Sequence, residues 1–330
     1  MKELIKALVE AYGPTGHEEQ VRALITERVQ HKADEIRTDP LGSLVVFKKG
    51  TGGGKRIMIA AHMDEIGVVV AFIDKKGFIR FGRLGGLSPI TVLGRRVRFA
   101  NGTIGVIGWE KGRYPSSIPA WEELYIDVGC TSPEDCPVGI GDAACFVDYY
   151  AEQGNYLFAK AMDDRMGCAV AAQTLLEMGP SPNDVYFVFT VQEEVGLRGA
   201  TAAAYGVDPE VGIALDVTLV GDTPEATPMC VSLGKGTAIK VMDSSVLVPP
   251  AVKRWMVETA ERNGVPYQLE ILQAGGTDTA AIQRARAGVP AGCISVPTRY
   301  VHTPSEMVDY RDVRASVDLL VALLSNPVTI

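Results

Sequence analysis

The stretch "RIMIAAHMDEIG", Arg56 to Gly67, begins as an apolar run fit for a buried strand and then sets His62, Asp64 and Glu65 where that strand should end. On its far side, from Ile66 to about Tyr156, helical periodicity vanishes. Short β-rich runs such as "IGVVVAFI", "RRVRFA" and "TIGVIGW" take over, separated by glycine and proline. The Asn101-Gly102 step between two of them is a strong hairpin signal. On the near side, Leu4, Ile5, Leu8, Val9 and Tyr12 recur with helical spacing. "TGHE", Thr15 to Glu18, then predicts a capping box for a second helix carrying Val21, Leu24, Ile25 and Val29.

Beyond Lys160, helices and strands alternate to the end: "DDRMGCAVAAQTLLEM", "DVYFVFTV", "GLRGATAAAYG", "VGIALDV", more strands to about Met242, "PAVKRWMVETAERNG", "PYQLEIL", a helix after "GGTDTAAI", "AGCISV" and a closing helix. The expected fold class is α/β, a mixed central sheet flanked by helices, with an inserted small β-barrel or sandwich. A length of 330 residues favours two domains over one. Residues 1–65 and 156–330 would form the discontinuous α/β domain, and 66–155 the insert.

Composition narrows the function classes. Hydrophobic residues at 47% and charged residues at 22% describe a globular chain able to bury a core. Forty acids against 32 bases, a net charge of −8, offer no electrostatic footprint for nucleic acid or an anionic membrane. The local run of Arg80, Arg83, Arg95, Arg96 and Arg98 lacks the interleaved aromatics of a stacking platform, apart from Phe81 and Phe99, and reads as a solvated strand face or interface rim. No apolar run spans a bilayer, and the N-terminal "MKELIKALVEAYG" mixes charge into a helical period, so a cytoplasmic protein is expected. Six cysteines without a C-x-x-C pair fit reduced packing thiols.

In open α/β sheets, reactive groups collect beyond the carboxyl ends of strands. Here "IMIAAH" ends in His62 with Asp64 beyond it, "YFVFTVQEE" in Glu193 and Glu194, "VGIALD" in Asp216, and "CISVPTRYVH" in His302. The Asp163-Asp164 pair opens the helix after the insert. Taken singly, each has a bland explanation: a structural histidine, solvated glutamates, or a first helical turn stabilised by its dipole. Two of only four histidines nevertheless fall at strand ends among carboxylates, while His17 and His31 lie in the N-terminal helical segment. Imidazoles with carboxylates and no thiolate suit Zn²⁺, Co²⁺ or Mn²⁺. Five donors exceed what one tetrahedral ion with an open position uses, so a dinuclear site with a bridging carboxylate is expected. Asp64, two residues past His62, could hold the free ring N–H of that histidine.

"AAHMDEIG", "AKAMDDR", "VQEEVGLRGA", "IALDVT", "LGKGTAIKVMD", "QAGGTDTAA" and "YVHTPSEMV" resemble, in order and over nearly the whole chain, the motifs of the tetrahedral-type dinuclear metallo-aminopeptidases, the group of glutamyl and deblocking aminopeptidases. The resemblance implies that residues 66–155 are a dimerisation domain and that dimers assemble into a hollow dodecamer. It also implies two divalent ions, zinc or cobalt with manganese as an alternative. Asp163 would bridge them, His62 and Asp216 would complete one site, and Glu194 and His302 the other. Glu193 would be the general base, Asp64 would orient a ligand, and a substrate pocket would lie near Gly275, Gly276 and Thr277. The substrates implied are short peptides, cut after their first residue.

Three rival readings concern the same residues. A glycosidase could use Glu193 and Glu194, but adjacent residues are poorly placed to flank one bond at separations of roughly 5 to 9 Å. A dinuclear amidohydrolase of acylated amino acids would share the metal set. A non-catalytic scaffold would leave the base at Glu193 without a purpose.

Overall fold

A computed structural model describes residues 1–110 and 117–330; residues 111–116 of the insert lie outside the described residues. The centre of the fold is four parallel strands: Asp184–Thr190, Arg56–His62, Val211–Thr218 and Ala291–Arg299, in that spatial order. Val211–Thr218 is buried along its whole length, as is Arg56–His62 after its first residue. Such unbroken burial is what a parallel sheet covered on both faces requires. Antiparallel strands extend the sheet to 11: Leu44–Lys48 and Glu35–Thr38 at one edge, Glu306–Asp309, Tyr156–Ala159 and Ala151–Gln153 at the other. Thr237–Met242 pairs with Ala291–Arg299, and Tyr267–Ile271 pairs with Thr237–Met242.

Helices cover both faces. Lys2–Glu10 turns Leu4, Ile5, Leu8 and Val9 inward. Met162–Glu177 is buried through most of its length between the sheet, the N-terminal helices and the closing helix Tyr310–Leu324. Asp309 starts that last helix by accepting the Arg311 amide at 2.9 Å, an ordinary N-cap.

The insert folds as a closed barrel of six strands that run in sequence from Gly67–Ile73 to Ala143–Phe146, around its own core of Val68, Val70, Ile79, Val97, Phe99 and Phe146. Asn101-Gly102 turns between the paired strands Arg96–Phe99 and Ile104–Trp109, with Gly102 at φ 89°. This is the backbone region that glycine enters freely.

The sequence reading departs from the fold at three places. Ala151–Gln153, expected within the insert, pairs with Tyr156–Ala159 at the edge of the large sheet, because Gly154 lets the chain turn straight back. Between Thr218 and Thr237 no strand forms, where "VGDTPEATPM" supplies prolines and glycine instead of a β-rich run. The capping box also fails: the second helix is Glu19–Val29 with Glu18 at its start, and no side chain caps it. Thr15 and Glu18 point elsewhere. Among the described residues no helix is long and apolar enough to cross a membrane.

Beneath the tip of Arg56–His62 lies a buried ion cluster. Glu65 accepts the Lys160 ammonium at 2.8 and 2.7 Å and Arg165 Nη2 at 3.2 Å. Arg165, fully buried, also donates to the carbonyls of Met63 at 2.7 Å and Gly13 at 3.2 Å, tying the N-terminal segment to the strand tip. Removing one partner of such a cluster strands the others without water or counter-charge. Glu65→Ala should therefore cost about 3–5 kcal/mol of stability, read as a lowered denaturant midpoint. An unchanged midpoint would show that the cluster is not holding these segments.

Candidate metal centre

The parallel register sets the site. His62, the last residue of its strand, lies opposite Thr190, so Glu193 and Glu194 emerge beside it. Asp216 sits on the other neighbouring strand, in register with Ser295, and His302 follows three residues after Ala291–Arg299. Asp163 opens the long helix across a cis peptide bond to Asp164.

These elements bring one carboxylate between two imidazoles. Asp163 Oδ1 lies 3.0 Å from His62 Nε2, and its Oδ2 lies 3.2 Å from His302 Nε2. His302 Nε2 is also 3.4 Å from Glu194 Oε2, and Glu193 Oε2 is 3.9 Å from His62 Nε2. One donor atom each from His62, Asp163 and Glu194 falls within 4.8 Å of the others. Asp216 stands outside this tight trio but lines the same cavity of about 510 Å³, as do Gly275, Gly276 and Thr277. His17 and His31 do not line it.

Asp64 is wholly buried behind the cavity. Its carboxylate accepts the amides of Glu193 at 3.0 Å and Glu194 at 3.2 Å and the Thr15 hydroxyl at 2.8 Å. Toward His62 Nδ1 it offers its own carbonyl at 3.2 Å and a carboxylate oxygen at 3.5 Å. It thus holds the histidine ring and the two-glutamate segment at once.

Other supports carried no assigned role in the sequence reading. Glu306 accepts the Asp163 amide at 3.1 Å and the His302 amide at 2.9 Å. It stands four residues past His302 in "YVHTPSEMV", and that spacing was the available signal. The Gly86 carbonyl lies 2.9 Å from His302 Nδ1, so the barrel insert fixes one imidazole. A Cβ at residue 86 would meet that nitrogen at 2.7 Å, and one at Gly85 would meet Glu194 Oε2 at 2.8 Å. Only residues without side chains fit that approach, and no periodicity announces it. Non-glycine residues with positive φ cluster here too, at Ala161, Gln192 and His302. Strained backbone of this kind concentrates at functional sites.

The electrostatics favour a cation. Burial pushes the Glu194 carboxyl up to about 7, and Asp163's charge adds to the shift. Burial likewise raises Asp216 far above the usual carboxylate range, again with Asp163 contributing. Glu194 Oε1 is buried with no hydrogen-bond partner. Histidine nitrogens and carboxylate oxygens, crowded and short of counter-charge, fit divalent ions of the zinc type.

The chain matches the family model described as M42 glutamyl aminopeptidase over residues 42–319. It is 34% identical to the lysyl aminopeptidase of Pyrococcus furiosus, with 98% of this chain and 96% of that one aligned. A solved aminopeptidase from the archaeon Desulfurococcus kamchatkensis superposes with a TM-score of 0.94 at 39% identity, over 98% of this chain and 94% of that one. A Pyrococcus horikoshii TET1 peptidase, described as assembling into a tetrahedron or a large octahedral shell, gives 0.85 at 31% identity, over 98% of both chains. The chain belongs to the M42 aminopeptidase family. It is therefore a peptide hydrolase with aminopeptidase activity, in a family of divalent-metal enzymes.

Glu18 provides a test of how this region is assembled. Almost fully buried, it accepts the Gly16 amide at 2.7 Å and the Gln192 amide at 3.2 Å. Burial, reinforced by Asp64's charge, raises its carboxyl to about 7 from 4.5. The native form therefore holds this proton more tightly than the unfolded chain. The resulting penalty is absent below pH 4.5, grows as pH rises, and is complete above about pH 7. Glu18→Gln cannot ionise, so its stability relative to the wild type should increase across that window and level off above it. Urea unfolding of both proteins from about pH 4 to pH 8 measures the difference. A pH-independent gap would place Glu18 in solvent.

Proposed function

We propose that this chain removes the N-terminal residue from short peptides at a centre holding two divalent ions, zinc or cobalt, with manganese as the alternative. The observation that carries this reading is the position of Asp163, which presents one oxygen to each of two imidazoles. In that arrangement Asp163 would be the shared ligand, His62 and Asp216 would hold one ion, and Glu194 and His302 would hold the other. The chemistry such a pair supplies when bound is an activated water and a polarised scissile carbonyl.

The remaining work falls to the chain itself. Glu193 lines the cavity and is the general base: it takes the water's proton and passes it to the departing amine. Burial raises its carboxyl well above the usual carboxylate range, with the charges of Asp216, Asp278 and Glu194 adding to the shift. Asp64 positions His62 and the Glu193–Glu194 backbone. Gly275, Gly276 and Thr277, which line the same cavity, receive the N-terminal residue.

Glu193→Gln should keep both ions yet lose about 10² to 10⁴ in rate, because an amide cannot accept the proton. Glu194→Gln should lose metal, and excess metal should restore part of its activity. Elemental analysis beside turnover separates the two glutamates, and reversed metal contents would reverse the assignment. Release of free amino acid from an unblocked tripeptide but not from an N-acylated amino acid separates this activity from an amidohydrolase.

For assembly, we propose that residues 66–155 form a dimerisation module and that dimers close into a hollow dodecamer with enclosed active sites. The tetrahedral shell described for the Pyrococcus horikoshii relative supports this. So do apolar side chains left open on the insert: Phe72 at 55% exposure, Ile118 at 60% and Ile140 at 73%. None of the six cysteines is in a disulfide, which supports a reducing, cytoplasmic setting. Native mass spectrometry should find a twelve-subunit species, and a strict monomer at micromolar concentration would rule the assembly out.

A further inference from the structure

Among the described residues, Lys240 is the only lysine or arginine that lines the catalytic cavity. On its face this suggests a counter-charge for an acidic N-terminal residue, in keeping with the glutamyl name of the family model. Its surroundings argue otherwise. The Lys240 ammonium is bonded to Glu270 and lies 3.4 Å from Asp243 Oδ2, and both carboxylates are fully buried. Asp243 is itself fixed by the amides of Ser245 at 2.7 Å and Val246 at 2.8 Å and by the Ser245 hydroxyl at 2.9 Å. One cation therefore faces two anions, and the cluster carries no spare positive charge.

The geometry excludes both kinds of charged side chain. An acidic one would have to compete with two preformed, desolvated carboxylates for a single ammonium. A basic one would find no free carboxylate in the cluster, because Glu270 and Asp243 are fully buried and do not line the cavity. The other acids of the cavity, Asp163, Glu193, Glu194 and Asp216, are committed to the metal centre and the base. What remains for a side chain to touch is mainly apolar: Leu219, Leu272, Ala274 and Val301. An uncharged side chain gains by burial there and leaves no unpaired charge.

We propose that this cavity selects peptides whose N-terminal residue is uncharged and apolar, and that Glu270 and Asp243 set the choice by neutralising Lys240. The proposal rests on the aminopeptidase reading above and names the substrate class of that site. It makes Glu270 and Asp243 specificity determinants without contact to the reacting atoms. Neutralising one of them removes a negative charge from beside Lys240 and so weakens the exclusion of an acidic substrate.

The test compares tripeptides that differ only in their first residue, leucine, methionine, glutamate or lysine, on the full-length metal-loaded protein. The leucyl and methionyl peptides should exceed the glutamyl and lysyl ones by about tenfold or more in kcat/KM. Glu270→Gln should raise the glutamyl-to-leucyl ratio by about tenfold, through KM of the glutamyl peptide, while the leucyl peptide changes little. Asp243→Asn gives the same reading should the first variant fold poorly. A wild type that prefers the glutamyl or lysyl peptide overturns the proposal, as does a folded variant with an unchanged ratio. If no peptide is cut, the hydrolytic reading falls, and calorimetric binding of free leucine and free glutamate still decides the selectivity. Tighter leucine binding, relaxed in Glu270→Gln, upholds it, and tighter glutamate binding overturns it.

Discussion

Asp163, set between His62 and His302, concentrates negative charge at a place that water barely reaches, and the surrounding chain is organised around keeping it there. Three further buried acids do this by accepting main-chain amides. Asp64 takes those of Glu193 and Glu194, Asp164 takes those of His62 and Gly167, and Glu306 takes those of Asp163 and His302. Each such bond ends on a segment that carries a candidate donor. Four of the five candidate ligands are thereby held by their own backbones. Asp216 is held differently, by strand pairing opposite Ser295.

Below this layer the charges invert. Lys160 and Arg165 lie under the acids and meet Glu65, and Arg165 reaches the carbonyls of the N-terminal segment. The helix Lys2–Glu10 is thus packed by its apolar face and also coupled to the strand tip that bears His62. Thr15 and Glu18 complete the link from the same segment to Asp64 and Gln192. A stretch that periodicity marks only as helical is part of the support of the reactive rim.

The sequence made the candidate site residues legible because the strand-end rule places them: His62, Glu193, Glu194 and His302 stand at or just beyond apolar runs, and Asp216 lies inside one. The alternation of elements likewise conveyed the mixed sheet, and the loss of helical period conveyed the barrel. The supports were hidden for physical reasons. Thr15 and Glu18 mimic a capping box, since the residue types that cap a helix also serve as acceptors and donors for distant amides. Gly85 and Gly86 matter through the side chains they lack, and an absent atom leaves no pattern. Lys240 looks like a free cation until Glu270, thirty residues away, is folded against it.

The interleaving of the donors along the chain has a consequence for how the protein is made. A ribosome releases His62 long before Asp163, and the whole barrel must emerge between them. Glu194 and Asp216 follow, and His302 with its support Glu306 comes last of the set. Because segments fold as they appear, the nascent polypeptide holds a growing set of unneutralised acids and cannot close the pair of imidazoles around Asp163 until His302 has emerged. A chain cut short before His302 thus lacks the second imidazole beside Asp163, and the rim that gathers these groups is assembled only after the barrel and most of the large sheet have been made.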